Sequence, residues 1–238
     1  MPIIPDIVRF PDAGALAVGA AERIAAFIRH HSGATVSVGM AGGSTPAATY
    51  EVLTELDVPW ERVYAWVGDE RFVPADHPDN NGTMIAKSLV ADTAATFFPV
   101  PWRADATPDE AAAEYERTLV GFMDHDADGP RPDLLLAGIG DDGHTLSLFP
   151  GTDGLEVHDR WFVANHVPQK DTWRLTTTYP LAWRARQIYV LVAGDGKAEA
   201  LAQIMEPRGG VPLPARRLME HGTVTWLVDD AAAALLSG

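Results

Sequence analysis

The stretch Gly138-Ile139-Gly140-Asp141-Asp142-Gly143-His144-Thr145 sets an imidazole two residues after a carboxylate and among three glycines, directly behind the apolar run 134–137. Imidazole suits proton transfer near neutral pH, and a carboxylate beside it can orient the ring. Glycines mark backbone that other residues cannot adopt, so a histidine carried by such a loop is placed for proton transfer rather than left as a plain surface-loop residue. The spacing also satisfies GxGxxG, but Asp141 and Asp142 would stand where a pyrophosphate must approach, so a dinucleotide site is rejected. The other histidines, His30, His31, His77, His125, His158, His166 and His221, show no metal-ligand spacing.

A second glycine turn, Gly39-Met40-Ala41-Gly42-Gly43-Ser44-Thr45-Pro46, leaves a strand and enters a helix. Its free N–H groups and the helix dipole behind them suit a phosphate, yet a tight turn with a Ser/Thr cap accounts for the same residues equally well. Three cations follow or precede strand signals: Arg71 in Gly68-Asp69-Glu70-Arg71-Phe72, Arg174 before Leu175-Thr176-Thr177, and Lys197 in Gly194-Asp195-Gly196-Lys197. Surface ion pairing is the usual fate of Arg and Lys, and position at strand ends is what singles these out.

Elements of matching type surround these motifs. β-branched or apolar runs at 35–40, 63–67, 134–137, 161–164, 188–193 and 224–228 predict buried strands, and Ala-rich segments at 14–31, 46–56, 82–90, 108–123 and 197–205 predict helices. This alternation predicts an α/β fold, a Rossmann-like, largely parallel sheet with helices on both faces, with the glycine loops at the carboxyl ends of its strands. Thr45 before Pro46 and Thr107 before Pro108 read as N-caps, the latter with a capping-box glutamate at Glu110. Segments 74–81, 124–132 and 206–214 read as loops, none suited to separate domains, so 1–238 is expected to form a single domain.

Composition narrows the chemistry. The 238 residues carry 18 Lys+Arg against 33 Asp+Glu, a formal charge of −15, which repels nucleic acid and anionic membrane but allows a small anionic substrate in a locally positive pocket. There is no cysteine, so disulfides, thiolate metal sites and cysteine nucleophiles are excluded. The start, Met1-Pro2-Ile3-Ile4-Pro5-Asp6, lacks the basic and apolar regions of an export signal, and no stretch approaches the roughly 18 apolar residues of a spanning helix. A cytoplasmic protein, acting as a monomer without metal, is the expectation.

The motifs resemble those of the 6-phosphogluconolactonases, relatives of glucosamine-6-phosphate deaminase. The resemblance rests on 41–46, on 68–74 with Asn80-Asn81, on 138–151 ending Leu148-Phe149-Pro150-Gly151, and on 174–180 with Gly196-Lys197-Ala198. It implies a cofactor-free hydrolysis of 6-phospho-D-glucono-1,5-lactone, with His144 as general base and Asp142 as its partner. It also implies a phosphate cradle of Gly42, Gly43, Ser44, Thr45, Arg174 and Lys197, with Asp69 and Arg71 at the substrate. Leu146 stands where the family more often has Ala, and Phe149 where the deaminases carry a glutamate five residues after the histidine. A sugar-phosphate isomerase or deaminase using Asp69 is the rival enzyme. A non-catalytic sugar-phosphate sensor is the rival from another class, and no output module accompanies it here.

Overall fold

The computed structural model describes residues 5–207, 209 and 211–237. In chain order the elements are β1 (Asp6–Phe10), α1 (Ala13–His30), β2 (Val36–Met40), α2 (Ser44–Thr54), β3 (Val63–Val67), β4 (Asp69–Arg71), α3 (Asn81–Ser88), β5 (Thr96–Phe98), α4 (Pro108–Phe122), β6 (Asp124–Asp126), β7 (Gly129–Arg131), β8 (Leu134–Ala137), β9 (Phe162–Val167), β10 (Thr172–Thr177), α5 (Tyr179–Ala182), β11 (Gln187–Val192), α6 (Ala198–Met205) and β12 (Val224–Asp229).

Among the described residues, seven strands form one sheet in the order β1-β12-β11-β8-β2-β3-β5, and every pairing in it is parallel. Parallel strands are covered on both faces and so read as continuous apolar runs, which is why β3 and β8 match their predicted bounds. The chain leaves β2 through α2 toward β3 on one side, and leaves β8 toward β11 on the other. Adjacent strands with diverging exits open a crevice at their carboxyl ends, and both glycine loops emerge there.

Local chemistry sets the helices. Asp12 caps α1, accepting from the Ala15 N–H at 2.8 Å, and Leu16, Ala20, Ile24 and Ile28, one turn apart, are buried. Thr107 and Glu110 bond each other's backbone N–H reciprocally at the start of α4, as predicted. Two buried tyrosines then fix helices to strand ends. Tyr50 of α2 accepts from the Ala41 N–H and donates to the Ala41 carbonyl, both at 2.9 Å; Tyr115 of α4 accepts from the Val67 N–H and donates to the Phe98 carbonyl, both at 2.7 Å. Burial pushes both phenols well above their ordinary range.

Three expectations are corrected. The strand predicted at 161–164 is β9, which does not join the main sheet: it pairs antiparallel with β10, and β10 with β4, in a separate three-stranded sheet. Thr45 is not a cap, because α2 begins at Ser44 behind Gly43, whose φ of 108° turns the chain with no side-chain cap. Segment 124–132 contains the β6–β7 hairpin, its turn at Ala127-Asp128 followed by Gly129 at φ 122° as the first residue of β7. The two main layers of strands meet at Gly68, between β3 and β4. Its N–H donates to the Met40 carbonyl of β2 at 2.8 Å, and its carbonyl accepts from the Thr177 N–H of β10 at 3.0 Å and from Thr177 Oγ1 at 2.7 Å.

Candidate active site

A cleft of about 120 Å³ opens at the carboxyl ends of β2 and β8, lined by Gly42, Asp69, Arg71, Asn81, His144 and Leu146 among others. The loop after β8 is folded tightly: the Gly140 N–H donates to the His144 carbonyl at 2.9 Å and the Gly143 N–H to the Gly140 carbonyl at 3.1 Å. Gly143 takes φ 76°, and a Cβ there would lie 2.6 Å from Leu213. This winding returns His144 onto Asp142, whose Oδ1 lies 2.5 Å from Nδ1 and also accepts the His144 backbone N–H at 3.1 Å.

The protonation pattern follows from that contact. Burial pushes the Asp142 carboxyl up, but the His144 backbone N–H, its charge and its ring hydrogen bond outweigh this and hold Asp142 below its ordinary value. An ionised carboxylate only accepts, so in the neutral imidazole the proton sits on Nδ1 and the lone pair on Nε2. Nε2 has no partner among the described residues, and the side chain is 25% exposed at the cleft. One face of the imidazole is covered by Phe149, with ring centroids 3.9 Å apart and planes at 23°.

Across the cleft the small sheet supplies charge. Arg71 of β4 and Arg174 of β10 are register partners, so two guanidinium side chains stand side by side. Among the described residues neither has a carboxylate partner; Arg71 donates to the Asp79 carbonyl at 2.6 Å, and both Nε atoms are buried and unpaired. Burial and the Arg71 charge hold Arg174 below the ordinary arginine range. Two adjacent cations with unspent donors form a site that an anion would complete.

Glu70 holds this edge in place. Its Oε1 accepts from the Arg71 and Asn81 N–H groups at 2.7 and 2.8 Å, and its Oε2 from the Gly82 N–H at 2.7 Å. Burial pushes its carboxyl up to about 7, opposed by those three donors. Asn81, thereby fixed at the start of α3, fills the space beside Gly42, where a Cβ would lie 2.0 Å from Asn81 Oδ1.

The structure thus brings together Gly42, Asp69, Arg71 and His144 on the cleft, with Asp142 behind His144 and Arg174 behind Arg71. Asp69 accepts from Ser147 Oγ at 2.7 Å. Gly43, Ser44 and Thr45 form the first turn of α2 beside Gly42, and Lys197 lies half-buried before α6, after β11; none of these four lines the cleft. Asn81, Ser147 and Glu70 were missed as contributors, since an amide, a hydroxyl and a buried carboxylate carry no signal until the fold juxtaposes them. Cavities of about 450 and 460 Å³ lie elsewhere, one against α6 and Leu235, the other at the amino edge near His31 and Arg186, away from the diverging strand ends. No group of three metal-ligating side chains occurs among the described residues.

Comparison with known proteins places this geometry. A family model described as glucosamine-6-phosphate isomerases/6-phosphogluconolactonase matches residues 11–226. The chain belongs to this family. It is 39% identical over 201 residues to a 6-phosphogluconolactonase of Synechocystis sp., covering 82% of each chain. A second such relative, from Nostoc sp., is 39% identical over 209 residues, covering 84% of this chain and 85% of the relative. Among solved structures, the Trypanosoma brucei 6-phosphogluconolactonase superposes with a TM-score of 0.89 at 26% identity, covering 99% of this chain and all of the other. A monomeric glucosamine-6-phosphate deaminase, at 22% identity and a TM-score of 0.82, shares the fold.

Proposed function

We propose that the chain hydrolyses 6-phospho-D-glucono-1,5-lactone to 6-phosphogluconate, with His144 as the base that activates water. The observation that carries this reading is the unpartnered Nε2 of His144, its ring held by Asp142, in one cleft with the cation Arg71. A lactone carbonyl is already electrophilic, so the demand on the protein is to deprotonate water, accommodate the tetrahedral oxyanion and protonate the departing ring oxygen. His144 Nε2 takes the proton from water as its oxygen adds to the carbonyl carbon. The imidazolium, stabilised by Asp142, then returns that proton to the ring oxygen as the C–O bond breaks. The phosphate lies at the far end of the substrate against Arg174 and Arg71, with the start of α2 beside them, and supplies binding and orientation.

Mixing the protein with the lactone and recording proton release tests the reading. One acid equivalent per lactone consumed is expected; no acceleration over the spontaneous rate, or ammonia released from an amino sugar phosphate instead, overturns it. Dialysis against EDTA is expected to leave the rate unchanged, and a loss restored by Zn²⁺ or Mg²⁺ would count against a purely imidazole-driven reaction.

The arginine assignment has its own readout. Arg174→Ala should lower kcat/KM for the phosphorylated lactone by about 10- to 100-fold, the scale of lost charge-assisted hydrogen bonds, and leave plain gluconolactone nearly unaffected. Lys197→Ala should act in the same direction but less, as Lys197 lacks the register pairing with cleft-lining Arg71 that Arg174 has. An unchanged preference for the phosphorylated substrate in Arg174→Ala would assign the phosphate to other groups.

Asp142→Asn should lower kcat by less than removal of the imidazole, because the ring stays while its tautomer and basicity change. The lowered position of Asp142 gives the sign of its pH effect. Its hydrogen bonds are present above the ordinary carboxylate range and are lost only as pH falls through the lowered folded value, so an acid limb of kcat/KM at milder pH, where Glu70 also titrates at about 7, does not report Asp142. Retention of that limb in Asp142→Asn, measured by a pH profile, checks the division of roles.

A further inference from the structure

We propose that Phe149 is a positioning residue for His144, an aromatic platform that fixes the ring plane and favours its protonated form during turnover. The inference rests on the reading of His144 as the base and adds a residue to it. The stack is face to face, with 3.9 Å between centroids, and Phe149 is 3% exposed, so no water intervenes on that side. The negative face of a benzene ring attracts a cation above it, and the imidazolium formed when water is deprotonated is such a cation. In-plane, Asp142 holds Nδ1; out of plane, Phe149 blocks rotation. Between them the imidazole keeps a single orientation, with Nε2 directed by exclusion to the cleft.

Phe149 is itself held. Its carbonyl accepts from the Thr152 N–H at 3.2 Å and from Thr152 Oγ1 at 2.8 Å. Buried Asn165 of β9 then staples the loop: its Nδ2 donates to the Ser147 carbonyl and to Thr152 Oγ1, both at 2.9 Å, and its Oδ1 accepts the Gly154 N–H at 3.1 Å. Asn165 is the register partner of Arg174, so the sheet that carries the anion-holding arginines also braces the platform under the base. The charged groups facing His144 are Asp142 of its own loop and, across the cleft, Asp69 and Arg71 of β4. None changes when Phe149 is altered, so a shift on altering it reports the ring.

The test replaces Phe149 site-specifically by 3,4,5-trifluorophenylalanine, which keeps the shape and withdraws the negative face, and separately uses Phe149→Leu. The His144 ring signal, assigned by its loss in His144→Ala, is titrated by NMR in each protein, and kcat/KM is profiled against pH. The fluorinated protein is expected to titrate about half a pH unit lower at His144, with the acid limb moving by the same amount. Phe149→Leu should show the same downward shift and about a tenfold lower kcat, with KM within about twofold. An unmoved His144 midpoint in the fluorinated protein overturns the proposal and makes Phe149 a space filler. Should Phe149→Leu fail to fold, the fluorinated protein decides alone. Because the NMR titration needs no turnover, it stands even if His144→Ala proves active, an outcome that would overturn the base assignment instead.

Discussion

His144→Ala is expected to lower kcat by about 10²- to 10⁴-fold, the usual worth of a positioned general base, with 6-phosphogluconate still binding. The asymmetry between chemistry and binding follows from the layout. His144 extends from the loop after β8 in the parallel sheet, while Arg71 and Arg174 belong to the small antiparallel sheet and, among the described residues, make no hydrogen bond or ion pair with His144 or Asp142. Removing the imidazole therefore leaves the anion site standing. Titrating product into the variant by calorimetry while measuring its lactonase rate separates the two. A folded variant retaining most of its kcat would send the search for the base to Asp69, a carboxylate lining the cleft.

Gly140→Ala is expected to approach the same loss of rate without touching a reacting group. A Cβ at Gly140 would lie 2.0 Å from His144 Nδ1 and 2.5 Å from Asp142 Oδ1. Both are ends of side chains that are partly exposed, 25% for His144 and 35% for Asp142, so the pair is pushed apart while the fold survives. The backbone there has no positive φ, so alanine introduces no conformational strain. What is lost is the hydrogen bond that selects the tautomer and aims Nε2. A misplacement on the order of 1 Å corresponds to about 10²-fold in rate. The check is kcat alongside the melting temperature: a drop of that size with Tm nearly unchanged is expected, and a kcat within about twofold of the parent would show that the imidazole finds its position without this glycine.

The parts of the fold legible in the sequence were those whose physics is local. β8 is four apolar residues buried on both faces, and α4 announces itself by Thr107, Pro108 and Glu110. In the small sheet, where β9 gave a strand signal, β4 was illegible for the opposite reason. Asp69-Glu70-Arg71 is a three-residue strand of charged side chains whose strand character comes only from pairing with β10, and Trp173 and Arg174 on β10 break any apolar run. The same split holds at the site. His144 and Asp142 lie two residues apart and could be read together, and the structure puts them in contact. The pairing of Arg71 with Arg174, the carboxylate of Glu70 under Asn81, and Ser147 on Asp69 join segments up to 103 residues apart in sequence, a distance no local pattern spans. Thr45 shows the converse: a sound capping signature was displaced by two residues because Gly43 supplied the backbone bend that made a side-chain cap unnecessary.

Gly68 acquires a further meaning from the division of labour between the two sheets. On the proposed roles, the base is carried by a loop of one sheet and the groups that hold the anion by the other, so the spacing between reacting carbon and phosphate is set by how the sheets are joined. One such join runs through Gly68, whose N–H reaches β2 and whose carbonyl reaches β10. A Cβ there would press on the Met40 carbonyl at 3.2 Å and on Leu135 and Leu146 at 3.4 Å. With His144 as the proposed base, the reach of the substrate would be measured from His144 on a scale that Gly68 helps to fix. Lactones with a shorter or longer reach to their anionic end would be sorted by this seam, and changing that length preference means altering the β3–β4 junction rather than the side chains that line the cleft.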